Sequence, residues 1–526
     1  MLLRANAFLI AVGLFLFLAS PGQAAPECLR GPEQCRERSM HPDLPEPDSK
    51  VRAIRKVEGE ETTAFWREQG VEFIKKQLAR EPNTRQAKNV ILFIGDGMGV
   101  TTTSAARNLI GGEEKALSFE NFPYTGLSKT YSVDKIVPDS ACTATAYLCG
   151  VKGQEGTIGV NGVVTRANCT SMLDESTHVD SIAKWAMDAG KWAGLVTTTR
   201  VTHASPSGVY AHIAERDWEN DAEVLTDCGA NSGIQDIAYQ LARGEVGSKL
   251  KVILGGGRKN FVDSTLSEEG KRTDGLDLIE EFKAAHAQNV FVDTKDELMA
   301  VNVANTERLL GLFNYDHIQY RMETAEDSPQ PSLEQMTRKA IEYMSQNEQG
   351  YFLFIEGGRI DQAHHKNQAR MALNETIEFS KAIAAAQELT NEEDTLLVVT
   401  ADHSHVFSYA GYANRGEDIF GRAPVNGTDG TPYMVLSYAN GPSYENFYDT
   451  QSKERKDPTS VVTGAPTDQF PSGVPMYDDS HGGDDVAVYA LGPWSHLFTG
   501  VYEQSTIPHL MAYASCLGDG HTVCST

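Results

Sequence analysis

Three short apolar runs punctuate the chain: Asn89-Val90-Ile91-Leu92-Phe93-Ile94, Tyr351-Phe352-Leu353-Phe354-Ile355 and Leu396-Leu397-Val398-Val399-Thr400. Continuous runs of this length, bounded by turn residues, predict strands buried on both faces. Each run gives way to polar residues. The first leads into Gly95-Asp96-Gly97-Met98-Gly99. The second leads through Glu356-Gly357-Gly358 into Arg359-Ile360-Asp361-Gln362-Ala363-His364-His365. The third leads into Ala401-Asp402-His403-Ser404-His405. Three buried strands thus deliver acids and histidines at their C-terminal ends, the edge of an open α/β sheet where ligands bind. A helix starting near Arg359 puts Asp361 and His365 on one face, so that a carboxylate and an imidazole converge as zinc requires. Taken singly, Asp361 reads as a helix cap and His365 as polar surface. The three segments together read as an oxygen- and nitrogen-donor site for zinc and magnesium, without cysteine.

Strand and helix patterns alternate to about residue 408. This predicts an α/β fold with a parallel-rich central sheet and helices on both faces. From Gly411 to Tyr477 the chain turns rich in Gly, Pro, Asn, Asp and Tyr and loses that rhythm, and Asp485 to Leu491 resumes as a buried strand. The expected division is 64–410 with 479–526 as the α/β domain and 411–478 as an irregular insertion. A chain of this size exceeds the usual single core, so an insertion fits. Glu61 to Leu78 has helical spacing, and no internal repeat is visible.

Pro138-Asp139-Ser140-Ala141-Cys142-Thr143 reads as a loop entering an alanine-rich helix. Ser140 then lies at a helix N-terminus, where backbone N–H groups favour an anion. Read alone it is an N-cap. As a nucleophile it needs activation, and with no Gly-x-Ser-x-Gly elbow around it, activation by metal is the better reading.

The ends and the composition narrow the picture further. Met1-Leu2-Leu3-Arg4, an apolar run from Ala7 to Ala19, and Pro21-Gly22-Gln23-Ala24 predict a secretory signal peptide over 1–24. The run is too short for a membrane span. A polar lead over 25–63 comes next. Eight cysteines fit an oxidising compartment, and Cys28 and Cys35 can pair with each other. Sequons stand at Asn168, Asn374 and Asn426, and export makes them glycan sites, with Asn374 inside a helical pattern. The net charge of −26 argues against nucleic acid or an anionic membrane as a general partner.

Asp96 in Gly-Asp-Gly-Met-Gly, the PDSACTATAYLCG segment, Arg216 in AERDW, EGGRIDQAHH, TADHSH and Ser480-His481-Gly482-Gly483-Asp484-Asp485 together resemble the animal alkaline phosphatases. The resemblance runs in order from about Phe65 to Cys524 and includes VTTTRVTHASPSGVYAH and VILGGGRKNF. It implies a phosphomonoesterase with two zinc ions, one magnesium and a serine that is phosphorylated and then hydrolysed. Asp361, His365 and His481 are implied as ligands of the first zinc. Asp96, Asp402, His403 and Ser140 are implied for the second, and Asp96, Ser205 and Glu356 for magnesium. Arg216 is implied as a bidentate clamp on phosphate, although between Glu215 and Asp217 it reads alone as a surface ion-pair residue. His203, His364 and His405 match supporting positions around the metals and are not implied as ligands.

The same resemblance pairs Cys169 with Cys228 and Cys516 with Cys524, and leaves Cys149 unpaired. It makes Glu61–Leu78 an arm around a partner subunit and 411–478 a crown at a dimer interface, so a homodimer is expected. It also brings departures. Many relatives carry a calcium site, but here Asn314 follows Phe313 and Gln330 precedes Pro331 where acids stand in the family. Calcium is therefore doubtful, with Glu268, Glu269 and the Phe313 carbonyl as the remaining oxygens. Cys142 is unusual so near Ser140 and reads as a small buried filler. The ending His521 to Thr526 has no polar spacer followed by an apolar tail, so free secretion is expected, with a lipid anchor only if the chain continues. A sulfatase would need a Cys- or Ser-x-Pro-x-Arg sequence, and Ser140 is followed by Ala-Cys-Thr-Ala. A related phosphodiesterase would offer Thr and lack Arg216. A non-catalytic phosphate-binding relative would have lost the serine or a ligand, and none is missing.

Overall fold

A computed structural model describes residues 57–325 and 327–525. The expected signal peptide 1–24, most of the lead 25–63, and Cys28 and Cys35 lie outside the described residues. The strands are β1 (Asn89–Ile94), β2 (Tyr124–Lys129), β3 (Trp192–Arg200), β4 (Val252–Gly256), β5 (Asn289–Val292), β6 (Arg308–Leu312), β7 (Tyr351–Glu356) and β8 (Thr395–Thr400). They continue as β9 (Ser404–His405), β10 (Phe407–Tyr409), β11 (Leu436–Tyr438), β12 (Tyr448–Asp449), β13 (Glu454–Arg455), β14 (His481–Gly482), β15 (Val486–Leu491) and β16 (Gly500–Glu503).

Ten of them form one sheet in the order β16-β2-β15-β8-β1-β7-β3-β4-β6-β5. All its pairs are parallel except those of β15, which runs antiparallel to β2 and β8. The apolar runs are continuous because both faces are covered. Along β1, Val90, Leu92 and Ile94 join one core, while Ile91 and Phe93 join the other. Phe352 and Phe354 of β7 and Leu396 and Val398 of β8 face the first core, and Leu353, Ile355, Leu397 and Val399 face the second. Helices Leu333–Met344 and Ala369–Leu389 seal the second face through Met336, Ile341, Phe379 and Ile383. Burying one such side chain contributes roughly 1.5–3 kcal/mol.

The expected buried strand from Asp485 to Leu491 starts at Val486 and alternates buried with half-buried positions. Near the sheet's edge, one face of β15 is less covered. The segment 411–478 contains only short elements: β11, which pairs with β10 just before it, the β12–β13 pair, and the short helices Tyr444–Phe447 and Pro458–Ser460. Its Phe420, Met434, Leu436, Tyr438 and Phe470 pack into the second core of the main sheet. Helix Thr63–Leu78 has no buried residue and exposes Trp66, Phe73, Ile74 and Leu78. Cys169 is bonded to Cys228 and Cys516 to Cys524, and Cys142 and Cys149 are free and buried.

Register aligns the functional ends. Ile94 pairs with both Glu356 and Thr400, and Thr197 of β3 pairs with Glu356. The segments carrying Asp96, Asp361, Asp402 and His203 therefore leave the sheet at one level.

Candidate active site

The turn after β1 needs its glycines. Gly97 has φ 69°, and a Cβ there would lie 2.6 Å from the His405 ring. Its N–H donates to Asp402 Oδ1 at 2.9 Å, which ties the turn to the end of β8. Asp96 is thereby held fully buried.

The helix predicted near Arg359 spans Arg359–His365. Gly358 stands at its N-cap, so Asp361 is not a cap and points instead into the site. Asp361 Oδ1 lies 3.3 Å from His365 Nε2, 3.5 Å from His481 Nε2 and 2.6 Å from His405 Nε2. Both outer histidines are turned by the backbone. His365 Nδ1 donates to the Asp479 carbonyl (2.6 Å) and His481 Nδ1 to the Pro138 carbonyl (2.8 Å). Each then presents its Nε2 lone pair inward, and the two Nε2 atoms stand 3.2 Å apart. Lone pairs so placed repel one another unless a cation sits between them. Burial alone would raise the Asp361 pKa, but His365, His405 and His481 outweigh it and hold the carboxyl well below its usual range.

Beside this group, His403 Nε2 lies 3.1 Å from Asp402 Oδ2, 3.6 Å from Asp96 Oδ1 and 3.1 Å from Ser140 Oγ. Ser140 is the first residue of helix Ser140–Cys149, and it is not the cap. Asp139 caps the helix by accepting from the Cys142 N–H at 3.2 Å. Asp139 Oδ2 also accepts from Arg216 Nη1 at 3.0 Å. Arg216 therefore turns inward rather than forming a surface pair with Asp217, and its Nη2 reaches His203 Nε2 at 3.3 Å. Burial pushes the Asp139 pKa up, but the Arg216 charge and the N–H donors of Gly156 and Cys142 bring it down to about 2.

A third group adjoins. Asp96, His203 and Glu356 bring ligand atoms within 4.8 Å of one another, and Ser205 is fully buried in the turn after β3. Glu356 Oε2 accepts from Thr197 and from Thr199 Oγ1 (3.1 Å). Burial raises the Glu356 pKa to about 7, and burial together with the charges of Asp402, Asp361 and Glu356 raises that of Asp96. Neither oxygen of Asp96 accepts a hydrogen bond, nor do Glu356 Oε1, Asp402 Oδ2 or Ser205 Oγ, although all are buried. Three converging buried carboxylates with unmatched oxygens cost several kcal/mol each unless cations neutralise them. The donors are carboxylate, imidazole and hydroxyl, which suits zinc and magnesium.

The model of the family described as alkaline phosphatase matches residues 87–517, a span that holds every one of these groups. The chain belongs to the alkaline phosphatase family. It is 44% identical over 481 residues to the human tissue-nonspecific alkaline phosphatase, covering 88% of this chain and 90% of that protein. It is 44% identical over 491 residues to the membrane-bound alkaline phosphatase of Bombyx mori, covering 90% and 88%. Among solved structures, a TAB5 alkaline phosphatase mutant with magnesium bound in its M3 site superposes with a TM-score of 0.58 at 25% identity, covering 83% of this chain and 100% of that one. The Thermus thermophilus alkaline phosphatase shares the fold, with a TM-score of 0.60 at 23% identity over 85% of this chain and 94% of that one.

Within this alkaline phosphatase, all the implied ligands lie at one sheet edge. His364 stands behind them, bonded to Thr102 Oγ1 (3.0 Å) and Tyr438 Oη (2.9 Å). The amides expected at the doubtful calcium position are engaged with backbone. Asn314 Nδ2 donates to the His317 carbonyl, and Gln330 Oε1 accepts from the Gln319 N–H. Glu269 pairs with Arg258 at 3.2 Å. Sequence reasoning missed Asp139, Asp479 and His317, whose ring lies 5.3 Å from that of His203. Asp139 alone carried a local signal, an Asp immediately before a helix start.

Proposed function

We propose that this alkaline phosphatase hydrolyses phosphate monoesters through a phosphoserine at Ser140, with two zinc ions and one magnesium. Asp361, His365 and His481 would hold the first zinc, Asp96, Asp402, His403 and Ser140 the second, and Asp96, Ser205 and Glu356 the magnesium. The observation that carries this is the convergence of buried, unmatched carboxylate oxygens with inward imidazole lone pairs around one serine hydroxyl. The magnesium bound in the M3 site of the TAB5 mutant supports a magnesium here as well. When bound, such ions lower the pKa of a nearby hydroxyl and stabilise the entering and leaving oxygens of an in-line displacement.

The chain's own residues do the rest. Ser140 Oγ, placed at the helix start 3.1 Å from His403 Nε2, gives up its proton and attacks phosphorus as the bond to the alcohol oxygen breaks. Arg216, fixed by Asp139, offers two donors to equatorial phosphate oxygens. First-turn N–H groups that the Asp139 cap leaves free add to this at the helix N-terminus. Water then attacks the phosphoserine from the side the alcohol left, releasing phosphate and restoring Ser140 Oγ. His203 steadies the Arg216 guanidinium.

The reading extends to context. The predicted signal peptide makes the enzyme secreted, with glycans at Asn168, Asn374 and Asn426, of which Asn426 is exposed. No helix among the described residues is long and apolar enough to cross a membrane. The unburied helix Thr63–Leu78, with Trp66, Phe73 and Ile74 exposed, supports an arm that docks on a second copy in a homodimer. The insertion 411–478 would be the crown. The test is phosphate release from several monoesters by purified protein, with bound zinc and magnesium counted. Turnover by metal-free protein would refute the metal roles.

A further inference from the structure

We infer that Asp479 is a positioning residue that sets the first metal group by holding two imidazoles at once. Its main chain is latched to His365 in both directions: the Asp479 N–H donates to the His365 carbonyl at 2.8 Å, and His365 Nδ1 donates back to the Asp479 carbonyl at 2.6 Å. That latch brings the Asp479 side chain to the other histidine. His405 Nδ1 lies 2.9 Å from Asp479 Oδ2, and His405 Nε2 lies 2.6 Å from Asp361 Oδ1. Asp479, His405 and Asp361 thus form a buried chain of carboxylate, imidazole and carboxylate, with all three side chains at or below 5% exposure.

His405 is close enough to Asp361, His365 and His481 to pass for a fourth ligand of that group. Both its ring nitrogens, however, already face carboxylates, so no lone pair is left for a cation. Its ring cannot swing away either. The Gly97 backbone leaves no room beside it, the His364 ring packs tilted against it at 4.9 Å, and β14 pairs His481 directly with His405. With the ring so walled in, the Asp479 carboxylate fixes which ring edge faces Asp361. Through His405, Asp479 therefore fixes the carboxylate orientation of Asp361, and through its carbonyl it fixes the tautomer of His365. Partners one step behind a ligand act in this way, and losing one typically lowers metal affinity by about 10–100-fold.

This inference rests on the metal-dependent reading above, and the experiment separates the two. Zinc affinity of the full-length protein is measured by competition with a chromophoric chelator, together with kcat and KM. The variants are Asp479→Ala, Asp479→Asn, His405→Ala and the double variant Asp479→Ala/His405→Ala. Asp479→Ala should weaken one zinc of the two by about 10–100-fold and leave the other unchanged. Asp479→Asn, which keeps an oxygen to accept from His405 Nδ1, should lose clearly less. In the His405→Ala background, Asp479→Ala should add no further loss, because its partner is already gone. Affinity unchanged in Asp479→Ala, equal losses in the Ala and Asn variants, or additive losses in the double variant would each overturn the inference. If Asp479→Ala does not fold, Asp479→Asn in the parent and in the His405→Ala background decides in the same way. A parent that holds no zinc would overturn the metal reading and this inference with it. A parent that holds zinc beside an unaffected Asp479→Ala would overturn this inference alone.

Discussion

Replacing Arg216 by Ala separates phosphate binding from metal binding more cleanly than any other single change at the site. The Arg216 side chain touches none of the residues proposed to hold the two zinc ions, and its polar contacts are with Asp139 Oδ2 and His203 Nε2. Its loss has two consequences of different kinds. The two proposed charge-assisted hydrogen bonds to a phosphate dianion would disappear, which is worth roughly 2–3 kcal/mol in the transition state. That converts to a fall in kcat/KM of about 30- to 150-fold. The Asp139 carboxylate, nearly buried, also loses its cation while keeping the N–H donors of Gly156 and Cys142. That should lower folding stability by about 1–3 kcal/mol. Steady-state kinetics with and without inorganic phosphate, denaturant unfolding and zinc analysis read the three quantities separately. Inhibition by phosphate should weaken in parallel with kcat/KM, and zinc content should stay as in the parent. Phosphate inhibition as strong in the variant as in the parent would refute the clamp, whatever happens to stability.

Chelation should abolish activity and zinc with magnesium should restore it, as read by phosphate release; activity that survives full removal of both metals would rule out the metal site. Replacing Cys169 and Cys228 by Ala opens a loop of 59 residues, which should cost about 4 kcal/mol by the chain-entropy account and show as a lower unfolding midpoint in non-reducing denaturant. Glu375 lies buried in helix Ala369–Leu389, where burial raises its pKa from 4.5 to about 7. Its protonated form stabilises the fold fully below about pH 4.5, and that contribution is lost as the pH rises through about 7. Glu375→Gln should therefore match the parent at low pH and exceed it above pH 7 by up to about 3 kcal/mol. An identical pH dependence in the two proteins would show that Glu375 is not the cause.

Strands β1, β7 and β8 were legible because burial on both faces writes an unbroken apolar run, and the residues after each run are the proposed ligands. Strands β2 and β16 were not, since both lie at the sheet's open end. The first carries Gly126 and Lys129, and the second has no buried residue. The segment of the proposed nucleophile was legible as a helix start, but the cap belongs to Asp139, and only the fold brings Arg216 to it across 77 residues. Asp479 was invisible for the same reason. Its partner His405 is 74 residues away, and nothing in Met476-Tyr477-Asp478-Asp479 distinguishes a buried acid from its exposed neighbour. Hydrogen bonds between distant segments leave no period in the sequence.

The proposed chemistry turns on a covalent intermediate at Ser140. Acid quenching of the metal-replete enzyme during turnover of a phosphate monoester, followed by peptide mass spectrometry, tests it directly. Phosphate should be found on Ser140 and not in Ser140→Ala, and that variant should lose nearly all turnover with zinc retained. Full turnover by Ser140→Ala, or phosphate trapped on another residue, would overturn the covalent mechanism.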